Sequence, residues 1–356
     1  MWNKCFLPQK TFGKNKKYIK IIIRFLQKYE GEKMGVSKIA VLTSGGDCQA
    51  MNATINIITR VATFRKLKVM GVLQGFRGLY ENKFVPLTLD DVENIASFGG
   101  TILKTSRFPE FANEQVLTKC VQNIKANHID VVIVIGGDGS YHGAKLLRDN
   151  GVNVIAIPAT IDNDLRYTDK CLGFDTAVNN VCSYVENVKQ TMQAMDRGVV
   201  FEVMGRYCGD IALYSASATA CDIVAVPEKP ISEKELIEKV KHHLKVKQTP
   251  PTIVVSEKLF DIVALADKLT KITGVPFKYS IVGYTQRGGA PSVEDKTLAM
   301  QFGVRAVELA EKGLFNRAIG IKGKDIFETP IDKALSADYS FNYELLNLFY
   351  LLNSDK

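Results

Sequence analysis

A chain of 356 residues, 46% hydrophobic and 24% charged, is long enough for two domains with substantial cores, which sets it apart from disordered and low-complexity chains. Its net charge of +8 is lopsided: residues 1–37 hold nine Lys and Arg against Glu30 and Glu32, giving +7 and leaving the body near +1, so the basicity is not that of a nucleic-acid groove. No stretch reaches the ~18 apolar residues of a membrane span, and Arg24 interrupts Ile21-Ile22-Ile23 before a secretory core can form.

Residues 1–36 read as a basic N-terminal extension outside the folded body. Three readings of it stay open: residues ahead of an internal start at Met34, a flexible tail, or a Lys-rich targeting segment. Seven cysteines (5, 48, 120, 171, 182, 208 and 221) are odd in number and show no C-x-x-C pair, which argues against a disulfide framework or a zinc site and makes a reduced cytoplasm the expected compartment.

From Lys38 onward, short β-branched runs alternate with helical patterns, at 39–42, 69–72, 131–135, 154–157, 199–203, 223–226, 253–255, 280–282 and 318–321. Runs apolar at every residue suit parallel strands covered on both faces. The expected class is α/β, with two doubly wound domains of largely parallel strands and an active site in the cleft between them.

Several strands end in polar or glycine-rich turns where a helix should begin: Thr43-Ser44-Gly45-Gly46-Asp47, Gly136-Gly137-Asp138-Gly139-Ser140, Ala159-Thr160-Ile161-Asp162-Asn163-Asp164 and Met204-Gly205-Arg206-Tyr207-Cys208-Gly209-Asp210. Ligands of open α/β sheets bind outside such carboxyl ends. One glycine pair could be no more than a tight turn, but two pairs with acidic neighbours point to phosphate held by backbone N–H groups and helix N-termini. There is no G-x-x-x-x-G-K-[ST], and Gly137-Asp138-Gly139-Ser140-Tyr141-His142-Gly143 has one residue too many for G-x-G-x-x-G.

Asp138 would project toward a phosphate held by its own turn, where Mg²⁺ takes one or two carboxylates plus water. Asp162 and Asp164, two apart after a strand, would face one side and supply a base for an acceptor hydroxyl. Arg107, Arg197, Arg206 and Arg287 recur beside these loops, and forked guanidiniums suit developing phosphoryl charge. The four histidines lack metal spacing, and neither G-x-S-x-G nor H-E-x-x-H occurs.

The ordered set of these motifs, together with Met51-Asn52-Ala53, Ser106-Arg107-Phe108-Pro109-Glu110-Phe111 and Gln286-Arg287-Gly288-Gly289, resembles the bacterial ATP-dependent 6-phosphofructokinases from about Lys38 to Ile331, roughly four fifths of the chain. The resemblance implies transfer of the γ-phosphoryl of Mg-ATP to the 1-hydroxyl of fructose 6-phosphate in a cytoplasmic homotetramer with shared sites, without nucleic acid or membrane as partners. It implies an ATP-binding domain of residues 37–173 plus 286–336 and a sugar-phosphate domain of 174–285 plus 337–356. ATP would be held by Gly46, Arg107, Phe108, Gly137, Asp138, Gly139 and Ser140, with Asp138 on Mg²⁺. Asp162 would be the base, with Thr160, Asp164 and Arg206 at the reacting groups. The sugar phosphate would meet Thr160, Ile161, Asp162, Arg197, Met204, Gly205, Arg206, Glu257, Lys278, Tyr284 and Arg287, some from a neighbouring subunit.

Gly139 and Ala159 stand where pyrophosphate-dependent relatives carry Asp and Lys, which favours ATP as donor. Two departures stand out at the 6-phosphate site: Lys278 and Tyr284 replace the family's Arg and His, keeping one charge but losing the fork and the imidazole. The family's effector pocket is also depleted of cations: Asn56 replaces a basic residue although Arg60 remains, and Thr219-Ala220-Cys221-Asp222 and Lys247-Gln248-Thr249-Pro250 replace its usual stretches. Weak or absent regulation by ADP and phosphoenolpyruvate is the expectation. Pyrophosphate as donor, and a non-catalytic regulatory role, stay open as alternatives.

Overall fold

The computed structural model describes residues 35–338 and 341–354; the basic head, and the readings attached to it, lie outside the described residues. In chain order the strands are β1 (Lys38–Ser44), β2 (Lys68–Val72), β3 (Phe84–Pro86), β4 (Val131–Gly136), β5 (Val154–Pro158), β6 (Gly198–Val203), β7 (Ile223–Ala225), β8 (Thr252–Ser256), β9 (Phe277–Ile281), β10 (Arg317–Lys322) and β11 (Asp325–Pro330). They form a seven-stranded sheet, β11-β10-β5-β4-β1-β2-β3, and a four-stranded one, β7-β8-β6-β9. All pairings are parallel except those of β3 and β11 at the two edges of the larger sheet.

The longer helices are α1 (Met51–Phe64), α2 (Glu114–Ala126), α3 (Asp138–Asp149), α4 (Phe174–Gln193), α5 (Asp210–Ala218), α6 (Glu233–Lys247), α7 (Ile262–Thr273), α8 (Val293–Glu311) and α9 (Tyr343–Leu352). None is long and apolar enough to cross a membrane.

The apolar runs are explained by burial on both faces. Along β1, Ile39 and Val41 enter a core cluster that continues through Phe174 and Val181 to Val199, Phe201 and Val203, so one apolar mass joins the two sheets. Ala40 and Leu42 enter a second cluster with Val132 and Val134 on the opposite face. Val200, Ile253 and Val255 pack under α6 and α7 in a third. Each such large side chain contributes roughly 1.5–3 kcal/mol by leaving water. A polar tie reinforces the junction: Asp295 in α8, 1% exposed, accepts hydrogen bonds from the N–H of Gly173 (2.8 Å) and Thr176 (3.0 Å) at the start of α4.

Nine strands lie where the β-branched runs place them, but β9 begins three residues early, at Phe277 rather than Ser280. It is an edge strand whose Lys278 and Tyr279 face solvent, so it does not read as an apolar run. The two antiparallel edge strands went unread for similar reasons. β3 is three residues ending in Pro86, and the partly exposed β11 returns through a two-residue turn at Gly323, φ 59°.

Candidate active site

A cleft of about 580 Å³ opens at the carboxyl ends of β1, β4 and β5. It is lined by Gly46, Arg107, Phe108, Gly137, Asp138, Gly139, Ser140, Thr160, Asp162, Asp164 and Arg287, which the sequence separates by as much as 241 positions, from 46 to 287. A larger cavity of about 880 Å³ lies between α6 and α9, but it holds neither glycine turn nor any of the strand-end carboxylates.

At one end of the cleft, α3 begins directly on the glycine turn after β4, with Gly137 as its N-cap and Asp138 in its first turn. The helix N-terminus and its unpaired N–H groups favour phosphate there. Ser140, 2% exposed, keeps its Oγ without a hydrogen-bond partner among the described residues. The second glycine turn faces it. A side chain at Gly46 would overlap the Arg287 guanidinium, which donates from Nη1 to the Asp47 carbonyl at 3.1 Å. Glycine is thus required at 46 for close approach, and it leaves Arg287 over the cradle. The Asp138 carboxylate is 56% exposed and lies 3.4 Å from His142 Nδ1.

Beyond the cradle the cleft becomes aromatic. Phe76 and Phe111 stack at 4.3 Å between centroids, tilted by 33°, and Phe108 lies 5.9 Å from Tyr80; Leu146 and His142 complete the wall. This apolar slot suits a flat nucleobase. Phe76, Phe111, His142 and Leu146 escaped the sequence reading. The available signal was Gly75-Phe76 closely following β2, a strand-end loop of the kind already chosen elsewhere.

On the floor sit the two carboxyls. Asp162 Oδ1 and Asp164 Oδ1 are buried without a hydrogen-bond partner among the described residues. Burial is the main reason that the Asp162 carboxyl is pushed up to about 6, with the charges of Asp164 and Glu257 adding to the rise and Arg287 opposing it. Burial likewise raises Asp164, aided by Asp138 and opposed by its hydrogen bond to Thr160. Thr160 Oγ also accepts from the Asp162 N–H at 3.2 Å, which fixes the turn. The Ile161 side chain is 1% exposed and points into the core, so only its backbone can meet a ligand.

The remaining residues divide between two ends of the smaller sheet. Met204, Gly205 and Arg206 follow β6, and Glu257 follows β8, its N–H bonded to the Val203 carbonyl at 2.7 Å. Gly205 has φ 112°, and a side chain there would collide with the Cys208 carbonyl, so glycine is required for this turn. Buried Gln286 holds the same turn by accepting from Met204 N–H at 3.0 Å, and its own carbonyl accepts from Gln49 Nε2 at 2.6 Å. Arg206 is exposed beside the Tyr207 ring, and Tyr284 is 83% exposed. Arg197 and Lys278, in contrast, sit at the amino ends of β6 and β9, roughly 16 Å away along a six-residue strand. One chain does not bring these two to the Asp162 floor.

A family model described as phosphofructokinase matches residues 38–310. ATP-dependent 6-phosphofructokinase 1 of Clostridium perfringens is 41% identical over 318 residues, covering 89% of this chain and 100% of that protein. An ATP-dependent 6-phosphofructokinase of Clostridium botulinum is 39% identical over 315 residues, 88% and 99% of the two chains. Among solved structures, the phosphofructokinase of Saccharomyces cerevisiae superposes with a TM-score of 0.78 at 30% identity. This chain is 84% covered and spans 45% of the yeast chain. That of Pichia pastoris in the T-state gives 0.84 at 26% identity, covering 91% and 42%. With its motifs in one cleft and these relatives along most of its length, the chain belongs to the phosphofructokinase family.

Proposed function

We propose that the chain is an ATP-dependent 6-phosphofructokinase, moving the γ-phosphoryl of ATP to the 1-hydroxyl of fructose 6-phosphate to give fructose 1,6-bisphosphate and ADP. The observation that carries this reading is the buried carboxyl of Asp162, raised to about 6, on the floor of a cleft whose wall is a double glycine cradle. A base with a pKa near the working pH is largely ionised yet basic enough to take a hydroxyl proton. As the acceptor oxygen bonds to the γ-phosphorus, its proton passes to Asp162, and the bond to the ADP oxygen breaks. Arg287 and Arg206 supply counter-charge to the moving group, and Thr160 holds the turn on which the carboxyls stand.

The fit to Mg²⁺ rests on Asp138, an exposed carboxylate at the mouth of the cradle; bound there with nucleotide phosphates and water as its other ligands, the ion would neutralise phosphate charge. A single protein carboxylate agrees with the lack, among the described residues, of any group of three or more His, Cys, Asp or Glu suited to a metal. ATP is favoured as donor because a side chain at Gly139 would meet nothing within 4 Å, and this open space accommodates the adenosyl-side phosphate. The slot between Phe76, Phe108 and Phe111 gives the base a seat.

Arg197 and Lys278 act, in this reading, on the 6-phosphate in another copy's site, so the working form is a homo-oligomer, a tetramer by the family pattern, in the cytoplasm. A coupled assay crossing ATP and pyrophosphate with fructose 6-phosphate and its isomers tests the assignment. Turnover with ATP and fructose 6-phosphate supports it. Pyrophosphate-only turnover, or none with any pair, overturns it in favour of the pyrophosphate-dependent or non-catalytic alternative.

A further inference from the structure

Between the two floor carboxyls lies Asn163, in the left-handed region at φ 54°, which non-glycine residues seldom adopt and Asn adopts most readily. Its side chain is held at three points. Oδ1 accepts from the Cys171 N–H at 2.9 Å, and Nδ2 donates to the Asp169 carbonyl at 3.3 Å and to Asp210 Oδ2 at 3.1 Å. The first two contacts are local. The third comes from α5, which follows β6 of the smaller sheet, so it ties the floor to the turn that carries Met204 and Arg206.

Asp210 is poorly explained as a helix residue. The N-cap, Gly209, has no side chain, and its N–H goes to Glu228 Oε1 at 2.8 Å, while the Asp210 carboxylate turns toward Asn163. Its other oxygen is buried without a hydrogen-bond partner among the described residues. A buried carboxylate that does little for its own helix is expensive to keep, and what it holds is the residue between Asp162 and Asp164.

We propose that Asp210 is a positioning residue for phosphoryl transfer, acting through Asn163 to hold the Asp162 and Asp164 carboxyls toward the cleft; this rests on the reading of Asp162 as base. A tie running from the sugar side of the site to the base would leave nucleotide binding untouched and be felt in the chemical step. The loss should therefore fall on kcat, not on the KM for ATP.

A double-mutant cycle tests it. Asp210→Ala and Asn163→Ala are each expected to lower kcat by ~10–100-fold, the cost of misplacing a catalytic group by about 1 Å, with the KM for ATP within about twofold. Because both remove one interaction, the double variant should be no slower than the slower single variant by more than about threefold. Asp210→Asn, which keeps an oxygen for the Asn163 amide to donate to, should recover most of the rate. Losses that multiply in the double variant, a loss confined to the KM for ATP, or Asp210→Asn as slow as Asp210→Ala would each overturn the proposal. Should Asp210→Ala fail to fold, Asn163→Ala still decides, since a normal kcat there refutes a role through Asn163. Asp162→Asn, assayed alongside, separates the two claims. If it is slow while the cycle is additive, only the role of Asp210 falls; if it is fast, the base assignment falls and this inference with it.

Discussion

Replacing Asp162 by Asn keeps the shape of the side chain and removes its ability to take a proton. Loss of a positioned base costs ~10²–10⁴ in kcat, while sugar-phosphate binding, which draws on other groups, should survive. The same substitution should stabilise the fold. Burial, aided by Asp164 and Glu257 and only partly offset by Arg287, raises this carboxyl from 3.8 to about 6. Between those values the folded chain binds more protons than the unfolded one, so stability falls as pH rises from about 4 to about 6, and the deficit persists above. At 1.36 kcal/mol per unit the rise corresponds to about 3 kcal/mol. An amide left with unmet hydrogen bonds recovers part of that, about 1–2 kcal/mol, or about 2–8 °C in Tm for a chain of this size. Thermal denaturation of both proteins at pH 8 and pH 4, beside steady-state kinetics, measures it: the Tm gap should be positive at pH 8 and close by pH 4. A near-normal kcat, or an Asn variant that melts lower at pH 8, would refute the reasoning.

Three further outcomes are expected. At saturating substrates, kcat should climb with slope one through an acid limb near pH 6 as Asp162 ionises, and a profile flat from pH 5 to 7 would count against the raised carboxyl. ADP and phosphoenolpyruvate should leave the fructose 6-phosphate saturation curve unchanged. Asn56 is turned inward to the Val92 carbonyl, and Lys189 Nζ is committed to the Thr219 and Ala220 carbonyls at 2.9 and 2.7 Å, so cationic and polar groups there are engaged in holding the chain. A sigmoidal curve relieved by ADP would contradict this. Tyr284→His, which restores an imidazole at an 83% exposed position, should lower the KM for fructose 6-phosphate by ~2–10-fold, the range of one added charge-assisted hydrogen bond at an exposed site; an unchanged KM would remove Tyr284 from the phosphate site.

What could be read from the sequence follows from the physics of each residue. Parallel strands buried on both faces announce themselves as unbroken apolar runs, so β1, β4, β5, β6 and β8 were legible, as were the strand-end turns where glycine and aspartate carry chemistry. Edge strands β3 and β11 are half-solvated and leave no such run. The aromatic slot was missed because Phe76 and Phe111 look like core residues until the fold turns them to one cleft. Arg287 was expected at the sugar 6-phosphate, yet its guanidinium stands over Gly46 and bonds the Asp47 carbonyl, a placement set by the Gln286 brace and invisible to local pattern. Arg197 and Lys278 could be named as basic residues near strands, but which end of the strand they occupy, and hence whose site they serve, is a matter of topology.

The central claim is that this cleft passes the γ-phosphoryl of ATP to the sugar 1-hydroxyl with Asp162 receiving the proton. Phosphorus NMR of the purified chain with Mg-ATP and fructose 6-phosphate, run beside Asp162→Asn, tests it most directly. The account predicts that ATP gives way to ADP as a new ester appears at carbon 1, and that the variant produces essentially none in the same time. An ester at another carbon, no transfer from ATP, or equal transfer by the variant would contradict it.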